Sequence, residues 1–245
     1  MDPLLSERNA SLNYQPYATT LVGAIEPCMT NRNLLHPTTP KRLSINVADD
    51  QLKRRIGSKT VLNAAFDELV RWCDAAVHTG WKMEVVNQGG GDFRFYKYLK
   101  KARPELAENI PFVSFHSHEE VFEYYKTVTV AASSRGHGMM ILFGVQCATI
   151  SLIMHEKVAS FISDIGHPEW GVDMDPSRRE ARNSSGIADD LMRVLNYIDN
   201  NRALVHRQML HAQANLMAVT ANNMHRFDKD VEQRAKTLLA APSSQ

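Results

Sequence analysis

Two periods alternate along the chain. Short apolar, largely β-branched runs cover residues 43–47, 82–87, 112–116, 127–130 and 147–153, with a weaker one near 170–174. Between them, apolar residues recur every three or four positions, the spacing of a helix with one buried face. The clearest set is Val61, Leu62, Ala65, Phe66, Leu69, Val70, Cys73 and Val77, opened by Ser58 as an N-cap and closed by Gly80. Phe93, Tyr96 and Leu99 mark a second helix, and residues 118–125 and 157–165 two more. Leu191, Val194, Leu195, Ile198, Val205 and Met209 begin a long one that continues with interruptions toward Leu239. Strand and helix alternate about six times. That predicts an α/β fold: a Rossmann-like, doubly wound parallel sheet of about six strands, helices on both faces and a long C-terminal helix. Residues 1–41, divided by Pro16, Pro27, Pro37 and Pro40, read as an irregular segment or linker. Residues 42–212 then form the domain, and 213–245 a helical tail.

Residues 127–155 form the unit around which the rest is arranged. A β-branched run leads through small residues into Ser133-Ser134-Arg135-Gly136-His137-Gly138, then a wholly apolar segment from Met139 to Val145, then a second β-rich run ending at His155. This reads as strand, tight loop, buried helix, strand. In an open parallel sheet such a loop lies at the carboxyl end of a strand, where ligands bind. The following helix directs unpaired N–H groups and its positive dipole end at the same place. Arg135 supplies a planar fork suited to carboxylate or phosphate, and His137 a proton-transfer group.

Composition narrows the classes. With 28 basic and 27 acidic residues the formal charge is +1, which gives no electrostatic case for nucleic acid or an anionic membrane. Cys28, Cys73 and Cys147 are widely spaced and odd in number, pointing to free thiols in a reducing, cytoplasmic setting. The apolar run 138–154 is interrupted by Gly144, Gln146, Thr149 and Ser151, so no membrane span is expected. Met139, Met140, Ile141, Leu142 and Phe143 read as core, and Trp81 and Trp170 as packing residues.

Other candidates carry weaker signals. Gly89-Gly90-Gly91 could let a phosphate approach the backbone, with Gly90 at its centre, but lacks the G-x-G-x-x-G spacing of a dinucleotide site; a plain tight turn explains it better. His116 and His118 form an H-x-H pair on an expected strand end. No carboxylate or cysteine cluster accompanies them, so no metal is expected, and no cofactor either. His155 follows the fifth strand toward the same cleft. The mixed charges of residues 173–182 read as a solvated loop.

The run SSRGHGMMILFGVQCATISLIMHEK resembles the signature of the polysaccharide pyruvyl transferases, a Ser-x-Arg-x-His motif before a buried helix, followed by a strand and a His-x-Lys element. These are Ser133, Arg135 and His137, then His155 and Lys157. The resemblance implies the C-terminal half of a two-domain GT-B-like transferase that moves the enolpyruvate carbons of phosphoenolpyruvate onto a saccharide acceptor as a ketal. It places Arg135 as anion clamp and His137 as proton donor, with Ser133, Ser134, Gly136 and His155 as further substrate contacts. A second family arginine belongs after the first strand, where Arg54 or Arg55 stands behind Asp49 and Asp50. The chain holds about half of the usual protein, so a partner chain or a homo-oligomer is expected to complete the cleft. Two alternatives stand beside this reading: a nucleotide-sugar glycosyltransferase domain of GT-B type, and a non-catalytic relative that binds an anion or a partner.

Overall fold

The computed structural model describes residues 41–48, 58–89, 92–175, 179 and 186–240. Six strands form one sheet: β1 (Arg42–Asn46), β2 (Lys82–Asn87), β3 (Phe112–Ser114), β4 (Val130–Ser133), β5 (Ala148–Ile153) and β6 (Gly171–Asp173). Every pairing is parallel and the order across the sheet is β3-β2-β1-β4-β5-β6. Parallel neighbours require crossovers, and helices supply them. They are α1 (Lys59–His78), α2 (Phe93–Ala102) with the short α3 (Pro104–Ala107), α4 (His118–Tyr125), α5 (Gly136–Gly144) and α6 (Glu156–Asp164). Two more, α7 (Ile187–Asn200) and α8 (Arg202–Ala240), follow the sheet. The chain belongs to the Rossmann-like α/β class expected from its alternation.

Burial follows position in the sheet. The central strands β1, β4 and β5 are enclosed almost throughout, whereas β3, at one edge, is half-buried. That is why the central strands read as continuous apolar runs. The helix α1 buries Ala65, Phe66, Leu69, Val70, Trp72, Cys73 and Ala76 and packs against α7. It stops at Gly80, whose φ of 89° is left-handed backbone that a Cβ would oppose. The helix α5 has no polar face because it is covered nearly all round. Met139, Met140, Leu142 and Phe143 are buried, and Phe143 meets Phe161 of α6 edge-on at 5.7 Å.

Several local expectations shift. Helix α2 buries Phe95 and Leu99, while Phe93 stands 40% exposed and Tyr96 is only partly covered. Strand β3 stops at Ser114, two residues early, because Ser117 caps α4 by accepting a hydrogen bond from the Glu120 N–H. His116 and His118 therefore do not share a strand face. Arg179 is no solvated residue: it donates to the Asp173 carbonyl and pairs with Asp190 at 2.6 Å. Trp81, Trp170, Cys73 and Cys147 are buried as expected.

Candidate functional site

The order β3-β2-β1-β4-β5-β6 reverses direction between β1 and β4, where the chain crosses from one half of the sheet to the other. Loops at the carboxyl ends of strands on the two sides diverge there and leave a crevice. Asn46 ends β1 opposite Ser133 at the end of β4, so the expected loop stands at the switch point.

Beneath the crevice lies a buried polar network centred on Asp92, which is fully enclosed. Its carboxylate accepts from the Asn46 amide at 2.7 Å, from the Gln88 backbone N–H at 2.7 Å, and from Arg135 through Nε at 2.9 Å and Nη2 at 2.7 Å. The Asn46 amide also donates to the Val86 carbonyl at 3.0 Å, and its oxygen accepts from the Ser133 hydroxyl at 3.2 Å. Ser133 in turn accepts from the Arg135 N–H at 3.2 Å, and Ser134 accepts from the Ala48 N–H at 2.7 Å. A buried carboxylate is tolerated only when charged donors surround it, and Arg135 supplies the charge. The guanidinium side chain remains 28% exposed. Gly89 lies so close that a Cβ there would come 2.9 Å from Arg135 Nη2, which explains a glycine at that position by close approach.

Above this floor opens a cavity of about 750 Å³. Asn87, Gln88 and Gly89 line it from the end of β2, and Phe115, His116, Ser117, His118 and Val121 from the loop after β3 and from α4. Residues 134–138 with Ile141 line it from β4 and α5, and His155 and Lys157 from the end of β5 and the first turn of α6. Arg135 is the N-cap of α5 and His155 of α6, so the first N–H groups of both helices lie beside the cavity wall. Gln88 donates to the buried Tyr125 hydroxyl at 2.6 Å, and burial pushes that phenol's pKa upward. Gly138 makes room for it: a Cβ at 138 would stand 2.1 Å from Gln88 Oε1.

The structure thus brings Ser134, Arg135, Gly136, His137 and His155 to one cavity. Ser133 is placed differently, fully buried below it with its hydroxyl held between Asn46 and the Arg135 N–H. Arg54, Arg55, Gly90 and Gly91 lie outside the described residues. The sequence reading missed Asp92 and Asn46. A polar Asn ending a buried apolar strand was the signal available for the second. Among the described residues no group of three or more His, Cys, Asp or Glu is arranged to hold a metal ion, and no helix is long and apolar enough to cross a membrane.

No family model matches the chain, and no curated protein matches it in sequence. Solved structures do. A sucrose-phosphate synthase from Thermosynechococcus elongatus superposes with a TM-score of 0.51 at 15% identity, covering 93% of this chain and 50% of its own. The likeness is one of fold. An O-GlcNAc transferase mutant from Thermobaculum terrenum matches at a TM-score of 0.46 and 15% identity, over 82% of this chain and 40% of its own. The chain thus spans about half the length of the first of these structures.

Proposed function

We propose that this domain is the donor-binding part of a group transferase, and that its cavity holds the anionic, phosphorylated end of the donor. The observation that carries the reading is the make-up of the wall. Arg135, Lys157 and the imidazoles of His116, His118, His137 and His155 line it, and no Asp or Glu is among the described lining residues. Two helix N-termini turn their positive dipole ends to the same side. Asp92 offsets much of the Arg135 charge, but it also fixes the fork. An anion meeting a guanidinium already immobilised loses less entropy on binding than one that must order a free arginine.

Of the donors open to such a site, a nucleotide sugar is the one that the fold likeness to a sucrose-phosphate synthase supports. The diphosphate then lies against residues 134–138 and the leaving phosphate is stabilised by Arg135 and the start of α5. A second reading, phosphoenolpyruvate, is favoured by a specific observation. Arg135 and His137 of the Ser-x-Arg-x-His run line the cavity, and among the described lining residues there is no carboxylate to accept ribose hydroxyls. In that chemistry a proton from His137 adds to the methylene carbon and positive charge develops at its neighbour. One saccharide hydroxyl adds there, phosphate leaves, and a second hydroxyl closes the ketal. In either reading the acceptor side comes from residues beyond the described domain or from another chain.

Thermal unfolding of the full chain with nucleotide sugars, phosphoenolpyruvate and inorganic phosphate tests the proposal. A nucleotide-sugar shift lost in Arg135→Ala supports the first reading, and a selective phosphoenolpyruvate shift lost in that variant supports the second. No shift with any of the three overturns both.

A further inference from the structure

Seven of the nine large apolar side chains exposed among the described residues lie on α8: Leu204, Leu210, Met217, Val219, Met224, Phe227 and Val231. The first part of α8 packs on the domain through Val205, Met209, Ala212 and Leu216, all buried. Gln213 pins it there, donating to the carbonyls of Phe143 and Gly144 at 3.1 Å. After Leu216 no described residue of the helix is buried, yet the helix continues to Ala240.

The apolar face outruns the core. Phe227 lies eighteen residues beyond Met209, which is five turns at about 3.6 residues per turn, so the two share one azimuth. Met209 is fully enclosed and Phe227 is 63% exposed. A second row converges on the same strip. Leu210, Met217, Met224 and Val231 stand seven apart, drifting by about 20° per step toward the Met209 face. A stripe of that period fits one kind of partner, a second helix wound along the first. Most helical stability in proteins comes from packing of an apolar face, and no described residue of the helix beyond Leu216 is buried, which is a further reason for a companion.

We infer that the projecting half of α8 pairs antiparallel with the same half of α8 in a second copy of this chain. Direction follows from the shared azimuth. The strip formed by Met224, Phe227 and Val231 faces the same side as the domain that covers Met209, so a partner helix running parallel would collide with that domain. Run antiparallel, each helix ends against the other copy's domain, and the overlap spans roughly 30 Å at about 1.5 Å per residue. Charge agrees with a like partner. Arg226, Lys229, Arg234 and Lys236 alternate with Asp228, Asp230 and Glu232, a near-balanced mixture that selects no strongly acidic or basic partner.

Sedimentation velocity of the full chain across micromolar to submillimolar concentrations tests this. The expected result is a concentration-dependent dimer, weakened at least about tenfold by Phe227→Glu or Val231→Glu. Both positions lie outside the core, so near-ultraviolet dichroism stays unchanged. A chain monomeric at every concentration overturns the inference and points to residues 1–40 or a foreign helix as the cover. A dimer that survives both substitutions also overturns it, as does a Met217→Cys protein that gains a self-crosslink, since only a parallel pair brings 217 to its own copy.

Discussion

Removing the Asp92 carboxylate has consequences for both stability and binding. In Asp92→Ala the Gln88 N–H and the Asn46 amide each lose an acceptor, and Arg135 loses contacts through both Nε and Nη2. Breaking a buried ion pair costs about 3–5 kcal/mol when the surviving charge stays buried. Here Arg135 is 28% exposed and regains some solvent, so the expected loss falls at the lower end, about 3 kcal/mol. For a domain of this size that lowers the unfolding temperature by roughly 6–12 °C. Asp92→Asn keeps the shape and one acceptor for the Gln88 N–H, and is expected to cost about 1–2 kcal/mol. Urea unfolding of Asp92→Ala, of Arg135→Ala and of the variant carrying both gives the double-mutant cycle, with an expected coupling above about 1.5 kcal/mol. A loss under about 1 kcal/mol for Asp92→Ala, or additive effects with Arg135→Ala, refutes the idea that this pair organises the cavity floor.

Three further outcomes follow from other parts of the fold. Gly138→Ala pushes a methyl group into Gln88 Oε1 and breaks its bond to Tyr125, costing about 1–2 kcal/mol in urea unfolding; a neutral result shows the amide swings aside freely. Cys73 and Cys147 are enclosed, and burial raises the Cys73 thiol pKa far above its ordinary value, so mass spectrometry after iodoacetamide treatment finds neither labelled until the chain unfolds. Burial lowers the His206 pKa, and the ring lies 3.1 Å from the Gln146 amide oxygen between α8 and the domain. The unfolded chain therefore binds that proton more readily. The contribution of His206 is fully present above its ordinary pKa of about 6.5 and declines as pH falls below it. Urea midpoints from neutral pH to about pH 5 should drop more steeply for wild type than for His206→Gln; parallel curves contradict this.

What the sequence carried legibly was local. Buried parallel strands must be apolar on both faces, so β1, β4 and β5 announced themselves, and the heavy apolar content of α5 marked its enclosure. The place of the loop from Ser133 to Gly138 was legible because it follows a buried β-branched run and precedes an apolar helix. Strand order was not, since nothing local says that β1 lies beside β4 and not at an edge. Asp92 was missed for the same reason. Asn46 of β1 and Arg135 of the β4 loop lie forty or more positions away along the chain, and only the closed sheet brings them to one point. Ser133 was assigned to the ligand because it heads the motif, but the last residue of a central strand points into the sheet's own packing. His116 and His118 do not share a strand face, because Ser117 between them starts a helix.

The central claim is that an anion binds among the side chains at the carboxyl ends of β4 and β5. An NMR titration of the full chain with uridine diphosphate and, separately, with phosphoenolpyruvate tests it most directly. At least one ligand is expected to shift the imidazole resonances of His137 and His155 and the amides of residues 134–138, and Arg135→Ala to weaken that ligand at least about tenfold. Saturable binding that leaves these resonances unmoved, or is unchanged in Arg135→Ala, contradicts it.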